Sequence, residues 1–508
     1  MKILSTEQIR EADAYTIEHE PILSVDLMER ASRSFVDWFI ERFPVGKYAA
    51  VSVICGKGNN GGDGLAIARL LQQLSYDVAV FIVNLKEETT EDFESNLDRI
   101  EQLEKLQKLE VRYVQEVEDM PIFGAEEILI DAILGSGLSR PVEGVLAELV
   151  HFINECDNTI VAVDVPTGVF TEAPTTGASI EADYTFTFQA PKLAFLFPEN
   201  FYHVGEFVYR SIGLHPQYLK QVETPYHYIT PQMVGRLYKK RDKFAHKGVF
   251  GHALLITGSY GKMGAAILAT RACLRAGVGL VTVHVPICGY EVMQTSVPEA
   301  MVSLDEDRFI FTKVYDLPKY STIGIGCGLS TKNRTRNALC YMLKHVNKPT
   351  VLDADALNIL GQSPDWFEYV PANSILTPHP KEFERMFGRA YDNFERNELQ
   401  RQKAQEYGVY IILKGANTCI ATPEGLCYFN STGNPGMGTA GSGDVLTGIL
   451  TGLLAQEYNP LEACVLGVYI HGLAGDIGAT IHSEESLTAG DIVDNLGKAF
   501  LQLRASVK

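Results

Sequence analysis

Twice in this chain a short run of β-branched and aliphatic residues ends in a glycine cluster that opens directly into a helical pattern. The first reads AAVSVIC (49–55), GKGNNGGDG (56–64), LAIARLLQQL (65–74); the second reads HALLITG (252–258), SYGKMG, AAILATRACLRAG (265–277). A strand that leaves through a helix returns parallel to itself, and the crossover helices then cover both faces of the sheet. Such a unit commits the chain to an α/β fold, whose ligand crevice lies at the carboxyl ends of the strands. The pattern repeats in both halves. Strands are predicted at 77–83, 126–134, 159–165 and 183–188, then at 280–285, 321–326, 349–354, 373–378 and 409–415. Helical patterns lie between them, including 145–153, with two more helices across roughly 5–42 and a helical end from about Ala440 to Leu503.

The stretch SIGLHPQYLKQVETPYHYITP (211–231) carries two breaking prolines and no long apolar stripe, so it is read as the linker between two domains, 1–220 and 228–508. With 508 residues the chain exceeds one ordinary core, and no sequence repeat relates its halves. A net charge of −19 argues against a general nucleic-acid binder, which needs clustered Lys and Arg. It leaves room for a small anionic ligand held by backbone N–H groups. The amino terminus MKILSTEQIREADAYTIEHE lacks the apolar centre of a signal peptide, and no apolar run reaches the ~18 residues of a membrane helix. The nine cysteines form no C-x-x-C pair, so a reducing, cytoplasmic setting without membrane partners is expected.

In the first half three acid-bearing strand ends converge on one sheet edge. The cluster 56–64 is neither a P-loop nor a G-x-G-x-x-G turn, and its Asn and Asp also suit helix capping. ILIDAILGSGLSRP (128–141) puts Asp131 at a strand end before a second glycine loop, and VAVDVPTG (161–168) does the same with Asp164. With FQAPK (188–192), these motifs resemble the NAD(P)HX epimerase domain over about residues 1–215. The resemblance implies a Rossmann-like parallel αβα sandwich. It implies dinucleotide contacts at Asn59, Asn60, Gly61, Gly62 and Asp63, at Gly135, Ser136, Gly137, Leu138, Ser139, Arg140 and Pro141, and at Asp164. It also implies potassium at Asn60, Asp131 and Thr167, and an acid–base pair of Asp164 and Lys192.

In the second half the glycine turn of 257–264 is followed by GIGCGLS (324–330), LDADAL (352–357), LTPHPKEF (376–383), LKGANTCI (413–420) and GMGTAGSGDVLTG (436–448). A carboxylate inside a glycine-rich loop fits phosphoryl transfer, where it takes the proton from an attacking hydroxyl. The ordered set resembles the ribokinase-like superfamily and, within it, the ADP-dependent NAD(P)HX dehydratase domain, over about 228–505. The resemblance implies nucleotide contacts at Lys414, Gly415, Ala416, Asn417, Thr418 and Gly443, and substrate contacts at Ala265, Gly328, His379 and Asp444, with Asp444 as base. The loop before Asp444 would supply N–H groups to the moving phosphoryl group. Lys381 and Gly438 stand where that family commonly has glycine and alanine, and Ala194 where the epimerase family more usually has glycine.

Together the two resemblances imply a bifunctional repair enzyme. One half would interconvert the epimers of NADHX or NADPHX, and the other would dehydrate the S epimer with ADP, giving AMP and phosphate. Potassium and magnesium ions and a homo-oligomeric state are expected with it. Two rivals stay open: a vitamin-precursor or sugar kinase built on the same Asp444, and a first half that only binds or scaffolds.

Overall fold

The computed structural model describes residues 1–84, 88–106 and 109–505. The chain divides into two compact units, one of Lys2–Thr224 with Asp392–Phe394, the other of Met1, Pro225–Tyr391 and Glu395–Lys508.

The first unit holds seven strands: β1 (Ala50–Cys55), β2 (Asp77–Val83), β3 (Glu110–Val114), β4 (Ile128–Ala132), β5 (Ile160–Val163), β6 (Tyr184–Phe188) and β7 (Glu206–Arg210). They run parallel in the order β3-β2-β1-β4-β5-β6-β7. Successive side chains of a strand point to opposite faces, and both faces here are apolar. Val51, Val53 and Cys55 of β1 join Ile128, Ile130 and Ala132 of β4 in one core with Phe35, Phe39 and Leu65. Ile54 and Leu129, the alternate residues, join Val150 and Ile153 of helix Val145–Asn154 in a second core. That is the αβα sandwich. Strand order reverses between β1 and β4, and both glycine loops begin there, at the topological switch point where such sheets bind ligands.

In the first unit two features differ from the sequence expectation, and in the second the strands Tyr226–Tyr228, Met301–Leu304, Cys419–Ala421 and Cys427–Phe429 were not foreseen. β3 and β7 were not foreseen; they are the edge strands, and the EVRYV of β3 is half exposed, so it lacks a continuous apolar run. The cluster NNGGDG is also not a loop: helix Asn59–Gln73 starts inside it, with Gly58 as N-cap.

In the second unit ten strands follow: β8 (Tyr226–Tyr228), β9 (His252–Ile256), β10 (Leu280–Val285), β11 (Met301–Leu304), β12 (Thr322–Ile325), β13 (Thr350–Leu352), β14 (Ile375–Leu376), β15 (Tyr410–Leu413), β16 (Cys419–Ala421) and β17 (Cys427–Phe429). Their order is β11-β10-β9-β12-β13-β14-β15-β16-β17-β8. Only the pairings of β16 are antiparallel, and the switch point lies between β9 and β12. The unit is a ribokinase-like αβα domain. The stretch 211–231 contains helix Pro216–Gln221 and β8, and the division between the units falls between Thr224 and Pro225.

Three helices close the second unit: Ser442–Ala455, Pro460–His482 and Ala489–Ala505. Among the described residues Pro460–His482 is the one helix long and apolar enough to cross a membrane, with mean hydropathy 1.4 over its most apolar window. Glu462, His471 and Asp476 interrupt its apolar run without lowering the average much. Of that window, 67% is buried inside the protein. Val465, Leu466, Ile470 and Ala474 share a core with Ile449 and Leu450 of one neighbouring helix and Ile492 and Leu496 of the other.

Candidate active sites

In the first unit, β1 and β4 deliver Asn60 and Asp131 to the same point. Asn60 is buried, and its Oδ1 lies 3.2 Å from where a Cβ on Gly135 would stand, so the two glycine segments meet. Asp131 is buried and accepts from the Thr167 N–H at 2.7 Å, the Thr167 hydroxyl at 2.7 Å and the Ile133 N–H at 3.2 Å. None of these donors is charged. Burial pushes the Asp131 carboxyl up to about 6 against the pull of those hydrogen bonds. The amide Nδ2 of Asn60 is buried without a hydrogen-bond partner. The Asp131 carboxylate, the Thr167 hydroxyl and the Asn60 amide oxygen are ligands of the kind a hard monovalent ion takes, whereas the unsatisfied Asn60 Nδ2 is a donor that calls for an acceptor.

The second group follows β5 and β6. Asp164 takes a left-handed backbone conformation, φ 63°, rare for a residue with a side chain. Its Oδ1 accepts from Lys192 Nζ at 2.8 Å, the Thr187 hydroxyl at 3.1 Å and the Phe188 N–H at 3.1 Å. Lys192 is buried and also donates to Phe188 O at 3.3 Å. A buried ammonium without its partner would be costly, so the pair stands or falls together. Asp63, half-buried on the first turns of its helix, is pushed well above the carboxylate range by burial and then by the charge of Asp164. Of the loop expected to hold the dinucleotide, Leu138 packs on the core, while Ser139, Arg140 and Pro141 are exposed.

In the second unit a cavity of about 410 Å³ is lined by Lys262, Ala265, Gly328, Asp355, Glu382 and Asp444 among others. Three of the four expected substrate residues therefore share one cavity. Asp444 sits in the first turn of helix Ser442–Ala455, after Gly441 at φ 93°. That conformation suits glycine, and it turns the chain so that successive N–H groups point outward at the positive end of the helix dipole. Burial pushes Asp444 up to about 6; Cys327 pulls it back down, while the charge of Asp353 adds to the rise.

Asp353, at the end of β13, organises the floor. It is buried and accepts from Lys414 Nζ at 3.0 Å and the Thr447 hydroxyl at 2.9 Å. Lys414 also lies 3.9 Å from Glu382. Burial would lower the Lys414 ammonium, but Asp353 and Glu382 outweigh it and hold it above the usual lysine range. A Cβ on Gly443 would stand 3.3 Å from Lys414 Nζ, so the two expected nucleotide elements meet. Gly415 and Ala416 are exposed in the turn that Thr418 closes through its hydroxyl, 2.9 Å from Gly415 O. His379 caps helix Pro380–Phe387: its Nδ1 accepts from the N–H groups of Lys381 at 3.1 Å and Glu382 at 3.4 Å. That leaves Nε2, 3.4 Å from Glu382, as the ring atom not used in capping.

Sequence reasoning gave no role to Asp353, Glu382 or His471. Asp353 carried the same signal as Asp131 and Asp164, an aspartate at the carboxyl end of a strand. His471 carried none. Its Nε2 lies 3.0 Å from Ser442 O, and burial lowers it to about 4, so it acts as a neutral donor fixing the start of helix Ser442–Ala455.

Residues 253–497 match the family described as NAD(P)H-hydrate dehydratase, and residues 24–194 match the YjeF-related protein N-terminus. The chain is similar to the bifunctional NAD(P)H-hydrate repair enzyme Nnr of Moorella thermoacetica, 34% identical over 100% of this chain and 98% of that one. The enzyme of the same name from Coxiella burnetii is 32% identical over 97% and 98%. A crystal structure of an ADP/ATP-dependent NAD(P)H-hydrate dehydratase from Bacillus subtilis is 30% identical, with TM-score 0.48, over 55% of this chain and 98% of its own.

Proposed function

The chain belongs to the family of bifunctional NAD(P)H-hydrate repair enzymes, and from that premise we propose how its residues divide the work. The protein is a nicotinamide-nucleotide repair enzyme that epimerises R- and S-NAD(P)HX and dehydrates the S epimer to NAD(P)H. The observation that best supports the residue assignment is the cavity where Asp444, at a helix N-terminus, shares walls with Ala265 and Gly328.

In the dehydratase reading Asp444 removes the proton from the hydroxyl of the hydrated ring. The N–H groups of 440–443 stabilise charge on the phosphoryl group as it passes to that oxygen. Lys414, held by Asp353 and Glu382, would face the nucleotide phosphates. Phosphorylation makes the oxygen a good leaving group, and loss of phosphate with a proton from the neighbouring carbon restores the double bond. ADP is the proposed donor, leaving AMP. Magnesium, which would neutralise the phosphates, has Asp353 and Asp444 within reach; their ligand atoms and Cys327 Sγ lie within 4.8 Å of one another.

In the epimerase reading the segments 59–63 and 135–141 hold the dinucleotide, and Asp164 with Lys192 serves the proton transfers. Asn60, Asp131 and Thr167 would hold potassium, whose charge offsets the acids around the phosphates. Nine free cysteines support a reducing, cytoplasmic setting, and a homo-oligomer is testable by light scattering. Incubating the protein with mixed NADHX epimers and ADP, and following NADH absorbance, tests the whole reading. Both epimers should be consumed, with AMP matching NADH. Accumulation of a stable phosphorylated product with ATP would return the second unit to the small-molecule kinases.

A further inference from the structure

One wall of the epimerase site comes from an element with no glycine loop. A capping box of Ser5 and Gln8 sets the start of helix Thr6–His19, and residues three and four apart share a helix face. Thr6, Arg10 and Asp13 therefore form one stripe. Its first two members lie on the second glycine loop: the Thr6 hydroxyl is 3.1 Å from Ser136 O, and Arg10 Nη2 is 2.9 Å from where a Cβ on Gly137 would stand. The Thr6 hydroxyl also meets that of Thr171 at 2.9 Å. Thr16, buried beside the stripe, accepts from the His215 N–H at 2.9 Å and fixes the far end of the helix.

Resting on the epimerase reading above, we propose that helix Thr6–His19 walls the dinucleotide site and that its Asp13 is a further catalytic residue, the proton donor working opposite Asp164. Inversion moves a hydroxyl from one face of the ring to the other. On one face the C–O bond breaks: oxygen takes the bonding electrons and a proton from a general acid and leaves as water, while the ring nitrogen's lone pair stabilises the carbon. On the other face water adds through its oxygen and gives a proton to a general base. Each passage needs one carboxyl that arrives protonated and one that arrives ionised, and the return passage uses them in exchanged roles. Two carboxyls in unlike environments meet that need. Asp164 has three donors on one oxygen. Half-buried Asp13 has no hydrogen-bond donor among the described residues, and the groups acting on it are Asp164, Lys192 and Asp63, with Arg10 one turn away on its own helix. Burial first, and the charge of Asp164 second, push it up to about 7, with Lys192 pulling the other way.

The test uses the full-length protein. Exchange between R- and S-NADHX is followed without nucleotide across pH 5 to 9 for the wild type, Asp13→Asn and Asp13→Glu, with dehydration of S-NADHX plus ADP as internal control. The wild-type rate should decline above about pH 7; Asp13→Asn should slow exchange by about 100-fold or more and lose that decline. Asp13→Glu should recover much of the rate, and dehydration should not change. Wild-type exchange and an unaltered pH profile in Asp13→Asn would overturn the assignment. So would a variant whose only defect is a raised KM, which would leave the helix as a binding wall. A wild type that dehydrates but never speeds exchange would instead overturn the epimerase reading itself.

Discussion

A carboxylate beside a phosphate is repelled by it, and Asp444 carries the further cost of burial. In its proposed role as base Asp444 must be ionised, so dehydration should rise as pH climbs through about 6, the value to which burial lifts this carboxyl. Asp444→Asn should lower dehydration by about 10²–10⁴-fold while epimer exchange persists. The stability effect has the opposite sign. A carboxyl whose folded pKa is raised binds its proton more tightly in the native state, so ionising it at higher pH destabilises the fold. Asp444→Asn should therefore melt above the wild type at pH 8 and with it below pH 4, as calorimetry would show. Asn60 offers a different check. An ion that binds only the native state raises stability in proportion to the logarithm of its concentration. Potassium, compared with sodium, should raise the melting temperature of the wild-type protein, and Asn60→Ala should abolish the difference.

Among the elements, helix Pro460–His482 holds the loop that leads into the glycine-rich segment before Asp444. The hydroxyl of Thr432 meets its Tyr469 O at 2.8 Å, and its Asp476 carboxylate accepts from the Gly433 N–H at 3.0 Å and the Asn434 amide at 2.9 Å. Close approach needs small residues: a Cβ on Gly472 would collide with Thr432, and one on Gly475 with Met437. Gly472→Val should cost about 1–3 kcal/mol in urea unfolding of the second unit and depress dehydration, with exchange untouched. The same helix shows what sequence reading reaches. Glycine clusters at strand ends, and aspartates one step beyond them, announce themselves locally, so Asp131, Asp164 and Asp444 were legible. The stripe Gly472/Gly475 faces a loop some forty residues earlier in the chain, the donor His471 faces Ser442, and nothing in their own neighbourhood signals either contact. Edge strands β3 and β7 were lost because half their side chains meet water. Helix Thr6–His19 was foreseen, but its face toward Ser136 and Gly137 was not, since contact between distant elements has no local period.

At the scale of the molecule the two chemistries sit in units with separate cores. A fragment of residues 1–220 should unfold cooperatively by itself and exchange NADHX epimers without nucleotide, measured by chromatography; a fragment that stays unfolded would show that this boundary cuts into the first core. The sheet orders carry a consequence for synthesis. All seven strands of the first sheet lie within the first 210 residues, so that unit has its full sheet while most of the second is still untranslated. The second sheet behaves otherwise: β8, its earliest strand, pairs with β17, its last, across some two hundred residues. Until Cys427–Phe429 leaves the ribosome, Tyr226–Tyr228 lacks its neighbouring strand in the sheet, and the apolar helix Pro460–His482 completes its cover only when Ala489–Ala505 follows. Nascent chains should thus gain protease resistance in two steps. The dehydratase half should be the one that gains more from chaperones, and a truncation of even the last helix should leave it insoluble while the first half survives.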